Sequence, residues 1–191
     1  ALIRCVHAMH EARHGARFGV AGLNAESLTC DWQKVKNHVK SCQEHIYNQD
    51  DSPEVLEAAG VEVRLGVHAS FVDAKTLQLA TVENTTPGGT ELVAANHFII
   101  ATGAGPVIPP LKGLEAVKYA TYETIFDLPD LPSSLAVIGG GPIGSELAQA
   151  FARLGCKVTL VGKMMPREDD DVRHVMSQVF EKDGIVVVEG R

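Results

Sequence analysis

Between Leu135 and Lys163 the chain reads LAVIGGGPIGSELAQAFARLGCKVTLVGK, and no other stretch narrows its fold as much. An apolar run, Ala136-Val137-Ile138, leads into Gly139, Gly141 and Gly144; a helical pattern then continues through Ala152, and Val158 to Val161 form a second apolar run. In the spacing G-x-G-x-x-G the first glycine lets the strand turn tightly. The second lets backbone approach a pyrophosphate, and the third lets the helix pack against the strand. The phosphates then rest on the unsatisfied N–H groups at the positive end of the helix. A tight turn of purely structural use is the alternative. The flanking strand, helix and second strand supply the context that distinguishes a dinucleotide site from it.

The residue ending the second strand of such a unit is normally acidic and binds the adenosine ribose hydroxyls. Here it is Gly162, followed by Lys163, with Arg167 nearby. A carboxylate repels a 2′-phosphate, so its absence beside new cations leans the expectation toward NADPH over NADH. A solvated Lys163 with lax ribose selectivity is the competing reading.

The rest of the chain gives local signals. Leu2, Val6 and Met9 recur at helical spacing, and Gly15 and Gly19 end that pattern. A second helix is expected from Asp31, its cap, to about Tyr47, with Trp32, Val35, Val39, Cys42 and Ile46 on its face. In DDSPEVLEAAG, Ser52 caps a short helix, Pro53 occupies its first turn and Gly60 suits its left-handed end. The period then changes to two: Val61, Val63 and Leu65 alternate, as do Leu77 and Leu79. Pro87-Gly88-Gly89 marks a turn, and Leu92 to Ala101 reads as a further strand. Val107 to Ser134, with Pro109, Pro110, Pro129 and Pro132, reads as a connection holding one short helix around YETIFDL. After the βαβ unit come an amphipathic helix in PREDDDVRHVMSQVFEKDG and a buried strand in IVVVEG.

Several function classes are disfavoured. A net charge of −7 opposes nucleic-acid binding, since no basic patch offsets repulsion from phosphates. Apolar runs such as Phe98-Ile99-Ile100-Ala101 are too short to span a bilayer, and no targeting segment is visible, so the expectation is a cytoplasmic protein without membrane contact. His10-Glu11-Ala12-Arg13-His14 matches the zinc pattern H-E-x-x-H but has no third ligand at a recognised spacing, so a polar helix face is expected there and no metal site. The acid run Glu168 to Asp171 reads as a helix start complementing the macrodipole. Cys5, Cys30, Cys42 and Cys156 lack redox or metal spacing and read as reduced structural thiols.

Two further stretches extend the picture. HFIIATGAGPVIPPLKGLE with a short helix, then LPSSLAVIGGGPIGSELAQAFARLG and VTLV, resembles the class I pyridine nucleotide-disulfide oxidoreductases, most of all the mercuric reductase and dihydrolipoyl dehydrogenase group. HEARHGARFGV and VRLGVHASFVD are similar to that group's FAD domain, so the likeness covers nearly the whole chain. It implies a Rossmann-like α/β fold: a partial FAD-binding domain over residues 1–106, then an inserted NAD(P)-binding domain over 107–191, incomplete at its C-terminus. The glycine turn is then the second of the family's two. The implied missing parts are the first FAD strand and turn, a reactive C-x-x-x-x-C pair and the dimerisation domain.

The implied contacts are few. Ala69 resembles the backbone contact to the FAD adenine, and Ala101, Thr102 and Gly103 the turn beside FAD. Ile143 and Glu146 match helix residues that face nicotinamide and flavin. Pro142 stands where several relatives carry an aromatic gate, and Gly105 where arginine is common. Gly139, Gly141, Pro142, Gly144, Gly162 and Lys163 complete the cofactor set, and no residue is expected to be catalytic. The implied reaction passes hydride from NAD(P)H through FAD to a disulfide or mercuric ion as small-molecule substrate, in a homodimeric whole protein, with this stretch alone inactive. A non-catalytic dinucleotide-sensing or interaction module is the alternative.

Overall fold

A computed structural model describes residues 1–22, 24–81 and 90–189, except the side chain of Glu26. By packing, the chain divides into two compact units: 1–44 with 108–191, and 45–107. This partition differs from the expected division by cofactor at 106/107, because the first 44 residues pack with the later segment.

In the first unit, helix α1 spans Leu2–His14 and buries Leu2 and Val6, one turn apart. It closes through a 3-10 turn, Gly15–Phe18, and the left-handed Gly19 at φ 83°. Helix α2, Trp32–Ile46, buries Trp32, Val35 and Val39 on one face. Its first turn is capped by Asp31 Oδ1, which accepts from Lys34 N at 3.0 Å. These backbone bonds hold the exposed Asp31 carboxyl below its ordinary range.

The later segment supplies β4 (Ser134–Gly140), α4 (Pro142–Leu154), β5 (Lys157–Met164), α5 (Asp170–Lys182) and β6 (Val186–Val188). The three strands are parallel with β5 in the middle. Phe151 of α4, Phe180 of α5 and Leu160 of β5 are fully buried, and each contributes about 1.5–3 kcal/mol. The Trp32 ring lies 5.5 Å from Phe151 and 6.4 Å from Phe126, and its Nε1 donates to Leu128 O at 2.9 Å. Residues 107–134 are expected as a connection holding one short helix; from Ile108 onward they are built into this unit, with Ile125 in its core. Arg13 Nη1 donates to Arg153 O at 2.7 Å, tying α1 to the end of α4. Arg153 and Gln149 both reach Asp183 Oδ2, at 3.0 and 2.8 Å, tying α4 to the end of α5.

The last strand is not buried as expected. Val186 and Val188 are exposed, because β6 is the edge strand and one of its faces is uncovered, while Ile185 just before it is buried.

In the second unit, Ser52 Oγ accepts from Val55 N at 3.4 Å to cap α3 (Pro53–Ala58), and Gly60 is left-handed at φ 88°. Three antiparallel strands follow: β1 (Val67–Asp73), β2 (Thr76–Thr81) and β3 (Thr90–Ala94). Two expectations fail here. Val61 to Leu65 form no ladder, and the strand expected over Leu92 to Ala101 ends at Ala94. Alternation describes sidedness, but a strand also needs a neighbour for its N–H and C=O groups. No described strand pairs with residues 61–65 or 96–101, and Leu65, Ile99 and Ile100 stay largely exposed. The Pro87-Gly88-Gly89 turn lies outside the described residues.

Candidate functional site

The site is built where β4 hands over to α4. Gly139 ends the run with φ 101°, a left-handed conformation that favours glycine. Gly141 caps α4 from an extended conformation, Pro142 takes the first helical position, and Ser145 N donates to Gly141 O at 2.9 Å. Pro142 costs the helix no bond, because its N–H would have had no intrahelical partner.

The glycines differ in what surrounds them. A Cβ on Gly144 would lie 2.0 Å from Gly139 O, and one on Gly140 would lie 2.5 Å from Lys163 O. Both are demanded by the protein's own packing. A Cβ on Gly141 meets nothing within 4 Å. The protein itself leaves that space open. Pro142, Ile143 and Glu146 are exposed on the first turns of α4, free to face a ligand.

The β5 end adjoins the turn. The ladder pairs Ile138 with Val161 and then Gly140 with Met164, so Gly139 faces both Gly162 and Lys163 across a bulge. Gly162 has φ 121°, and a Cβ there would stand 3.7 Å from Gly139 Cα. Its backbone thus gives glycine a conformational reason to occupy the place of the usual carboxylate. Lys163 and Arg167 are exposed. Glu189, just past β6, points a carboxylate at the same end: its Oε1 accepts from Met164 N at 3.5 Å. Sequence spacing does not reveal it, since the parallel pairing of β5 and β6 brings it there.

The remaining expected residues lie in the other unit. Ala69 sits in β1 opposite Leu79, while Ala101, Thr102 and left-handed Gly103 (φ 71°) follow β3, all exposed. Phe71 and Phe98 meet edge to face at 5.2 Å, which joins β1 to the stretch leading into Ala101.

The two motifs set aside on sequence make local contacts. The His10 and His14 rings lie with centroids 4.3 Å apart, tilted by 40°, His14 Nδ1 bonds His10 O at 2.8 Å, and His7 pairs with Glu11 at 3.0 Å. Burial, and then the charge of Arg153, lower the His10 pKa. Among the described residues no three His, Cys, Asp or Glu side chains gather to hold a metal. Asp169 holds the cap position of α5 without a side-chain bond, and Asp170 and Asp171 lie in the first turn, where Asp170 pairs with Arg173. All four cysteines are free. Burial raises the thiol pKa of Cys5 and Cys30, and pushes buried Cys156, whose Sγ donates to Pro132 O at 2.8 Å, up to about 11.

A parallel sheet, a glycine turn at its edge and a helix rising from that turn place the chain in the Rossmann-like α/β class. Residues 6–191 match the family described as pyridine nucleotide-disulphide oxidoreductase, and the chain belongs to that family. A mercuric reductase from Streptomyces lividans is 33% identical over 191 residues, covering 98% of this chain and 38% of that protein. A dihydrolipoyl dehydrogenase from Bacillus subtilis is 28% identical over 189 residues, covering 97% and 39%. LpdA from Mycobacterium tuberculosis has the same fold with a TM-score of 0.72 at 23% identity, covering 98% of this chain and 40% of that one. The Cu(II) complex of the flavoprotein disulfide reductase RclA from Escherichia coli gives a TM-score of 0.67 at 22% identity over 95% of this chain and 38% of that one. The chain thus spans about two fifths of the length of these relatives. Among the described residues no helix is long and apolar enough to cross a membrane.

Proposed function

We propose that residues 107–191 bind NAD(P)H at the glycine turn, with a lean to NADPH, and that residues 1–106 contribute part of an FAD site. The observation that carries this is the contrast at the turn: Gly144 and Gly140 are filled by protein, while the place of a Gly141 Cβ is empty. The residues present fit a nucleotide. Backbone N–H groups at the start of α4 would hold the pyrophosphate, since the first four of any helix lack an intrahelical acceptor. Lys163 would meet a 2′-phosphate, and Ile143 and Glu146 would line the nicotinamide side. For FAD, Ala69 would meet the adenine and Ala101 to Gly103 would pass beside the ring.

When bound, the nicotinamide supplies a hydride and the flavin accepts it; the protein orients the rings and screens them from water. In the whole protein, a cytoplasmic homodimer, the electrons pass on to a disulfide or mercuric ion. This chain alone turns over neither acceptor, because its thiols are not a reactive pair. Burial raises the thiol pKa of Cys5, Cys30 and Cys156, which disfavours the thiolate, the reactive form.

Calorimetric titration of NADPH and NADH into the wild-type chain and Lys163→Glu tests the reading. A charge-assisted contact is worth about 1.5–3 kcal/mol when shielded and much less when exposed. Lys163 is exposed, so a preference for NADPH of about two- to fivefold is expected, abolished by Lys163→Glu. Equal affinities in both proteins defeat the phosphate contact, and absence of binding defeats the site.

A further inference from the structure

The carbonyl of Gly140 accepts two hydrogen bonds from different parts of the chain. Ser145 Oγ, on the first turns of α4, donates at 3.2 Å. Met165 N, just past β5, donates at 2.6 Å. Ser145 is 3% exposed, among the few buried polar side chains of the described residues. Met165 is held left-handed at φ 44°, the one non-glycine residue with positive φ among those described. The bulge in β5 turns the chain at Gly162, and the backbone of Lys163 packs so closely on Gly140 that no Cβ fits between them.

A buried hydroxyl that reaches past its own helical turn to a loop carbonyl needs a reason. Serine within a helix can bond the carbonyl three or four residues back, but Ser145 Oγ reaches Gly140 O, five residues back at the end of β4. Gly140 lies between the two glycines that shape the pyrophosphate turn, and Met165 closes the segment that carries Lys163. The three groups form one clamp: α4, through Ser145; the turn, through Gly140; and the ribose-end segment 162–165, through Met165.

We infer that Ser145 is a positioning residue for nucleotide selection, fixing the Gly140 carbonyl so that the pyrophosphate turn and the Lys163 segment hold one relative geometry. The inference rests on the proposed nucleotide site. Its consequence is specific. Ser145 is buried, and its removal leaves Gly140 O with the Met165 N donor, so the fold survives. The alignment of Lys163 with a 2′-phosphate is what loosens.

The test is titration of NADPH and NADH into the wild-type chain, Ser145→Ala and Ser145→Thr, with thermal unfolding of each. One lost hydrogen bond corresponds to about a fivefold change. In Ser145→Ala, NADPH binding is expected to weaken about fivefold, NADH binding less than twofold, and the NADPH preference to collapse toward one. Ser145→Thr, which keeps the hydroxyl, restores the preference even where its extra methyl lowers the unfolding temperature. A merely structural serine lowers the unfolding temperature of Ser145→Ala while the ratio of affinities stays at the wild-type value, and that result overturns the inference alone. Equal weakening of both nucleotides also overturns it. A wild-type chain that binds the two equally refutes the Lys163 contact and the inference with it, and one that binds neither refutes the nucleotide site as well.

Discussion

Replacing Gly144 by alanine and Gly141 by valine separates the two tasks that one glycine pattern combines. At Gly144 the added Cβ would lie 2.0 Å from Gly139 O, 3.2 Å from Gly139 C and 3.6 Å from Val137 Cγ1. The first of these is more than an ångström inside contact distance, and the obstacle is backbone that cannot rotate away. Either α4 or the turn must shift, and overpacking of this kind costs about 1–3 kcal/mol, occasionally more. For a chain of this size that lowers the unfolding temperature by about 2–4 °C per kcal/mol. At Gly141, φ is −71° and nothing lies within 4 Å of the added Cβ, so a side chain can start there without straining the backbone. The unfolding temperature of Gly141→Val is expected within a degree or two of wild type, yet the valine side chain takes the pyrophosphate's place. Differential scanning calorimetry and NADPH titration on the two variants read both quantities. The expected pattern is a destabilised Gly144→Ala and a stable Gly141→Val that binds no nucleotide. A Gly141→Val chain that binds normally, or a Gly144→Ala chain as stable as wild type, refutes the reasoning.

Asp183→Ala leaves Arg153 and Gln149 without their shared acceptor, and is expected to lower stability by about 1–3 kcal/mol in chemical unfolding while leaving the NADPH-to-NADH ratio unchanged. Cys156 titrates at about 11 in the folded chain against 9.0 when free, so its contribution is complete below pH 9 and is lost as pH rises through 11. The fall in unfolding temperature between pH 9 and 11 should therefore be steeper in wild type than in Cys156→Ala. EDTA treatment is expected to leave the unfolding temperature unchanged, because among the described residues the H-E-x-x-H helix face gathers no third ligand. A chelator-dependent drop would reinstate a metal there.

Legibility in the sequence followed how local each cause is. Asp31, Ser52 and Gly60 act within one helical turn, and the structure uses each as its position suggests. The β4–α4–β5 unit was equally plain, since strand, turn and helix are consecutive. Val61 to Leu65 and Ile99 to Ala101 misled, because their patterns carry no information about whether a partner strand lies beside them. Val186 and Val188 misled for a related reason: an apolar run does not say that its strand forms the sheet edge. Gly140 stands outside the G-x-G-x-x-G pattern and its need for glycine comes from Lys163 O, a contact that requires the folded pairing of β4 with β5. Ser145 and Glu189 were invisible for the same reason. Gly162 shows the opposite case, where a substitution read as a lost carboxylate also satisfies a left-handed backbone.

The most direct test of the nucleotide site is a two-dimensional amide spectrum of the isotope-labelled chain recorded while NADPH is added. Binding at the turn predicts saturable shifts at Gly139, Gly141, Ile143 and Gly144, with a second set at Gly162 and Lys163, and none at the amides of His10 or His14. Saturable shifts confined to other residues, or no shifts at millimolar nucleotide, would contradict the claim that this turn holds a dinucleotide.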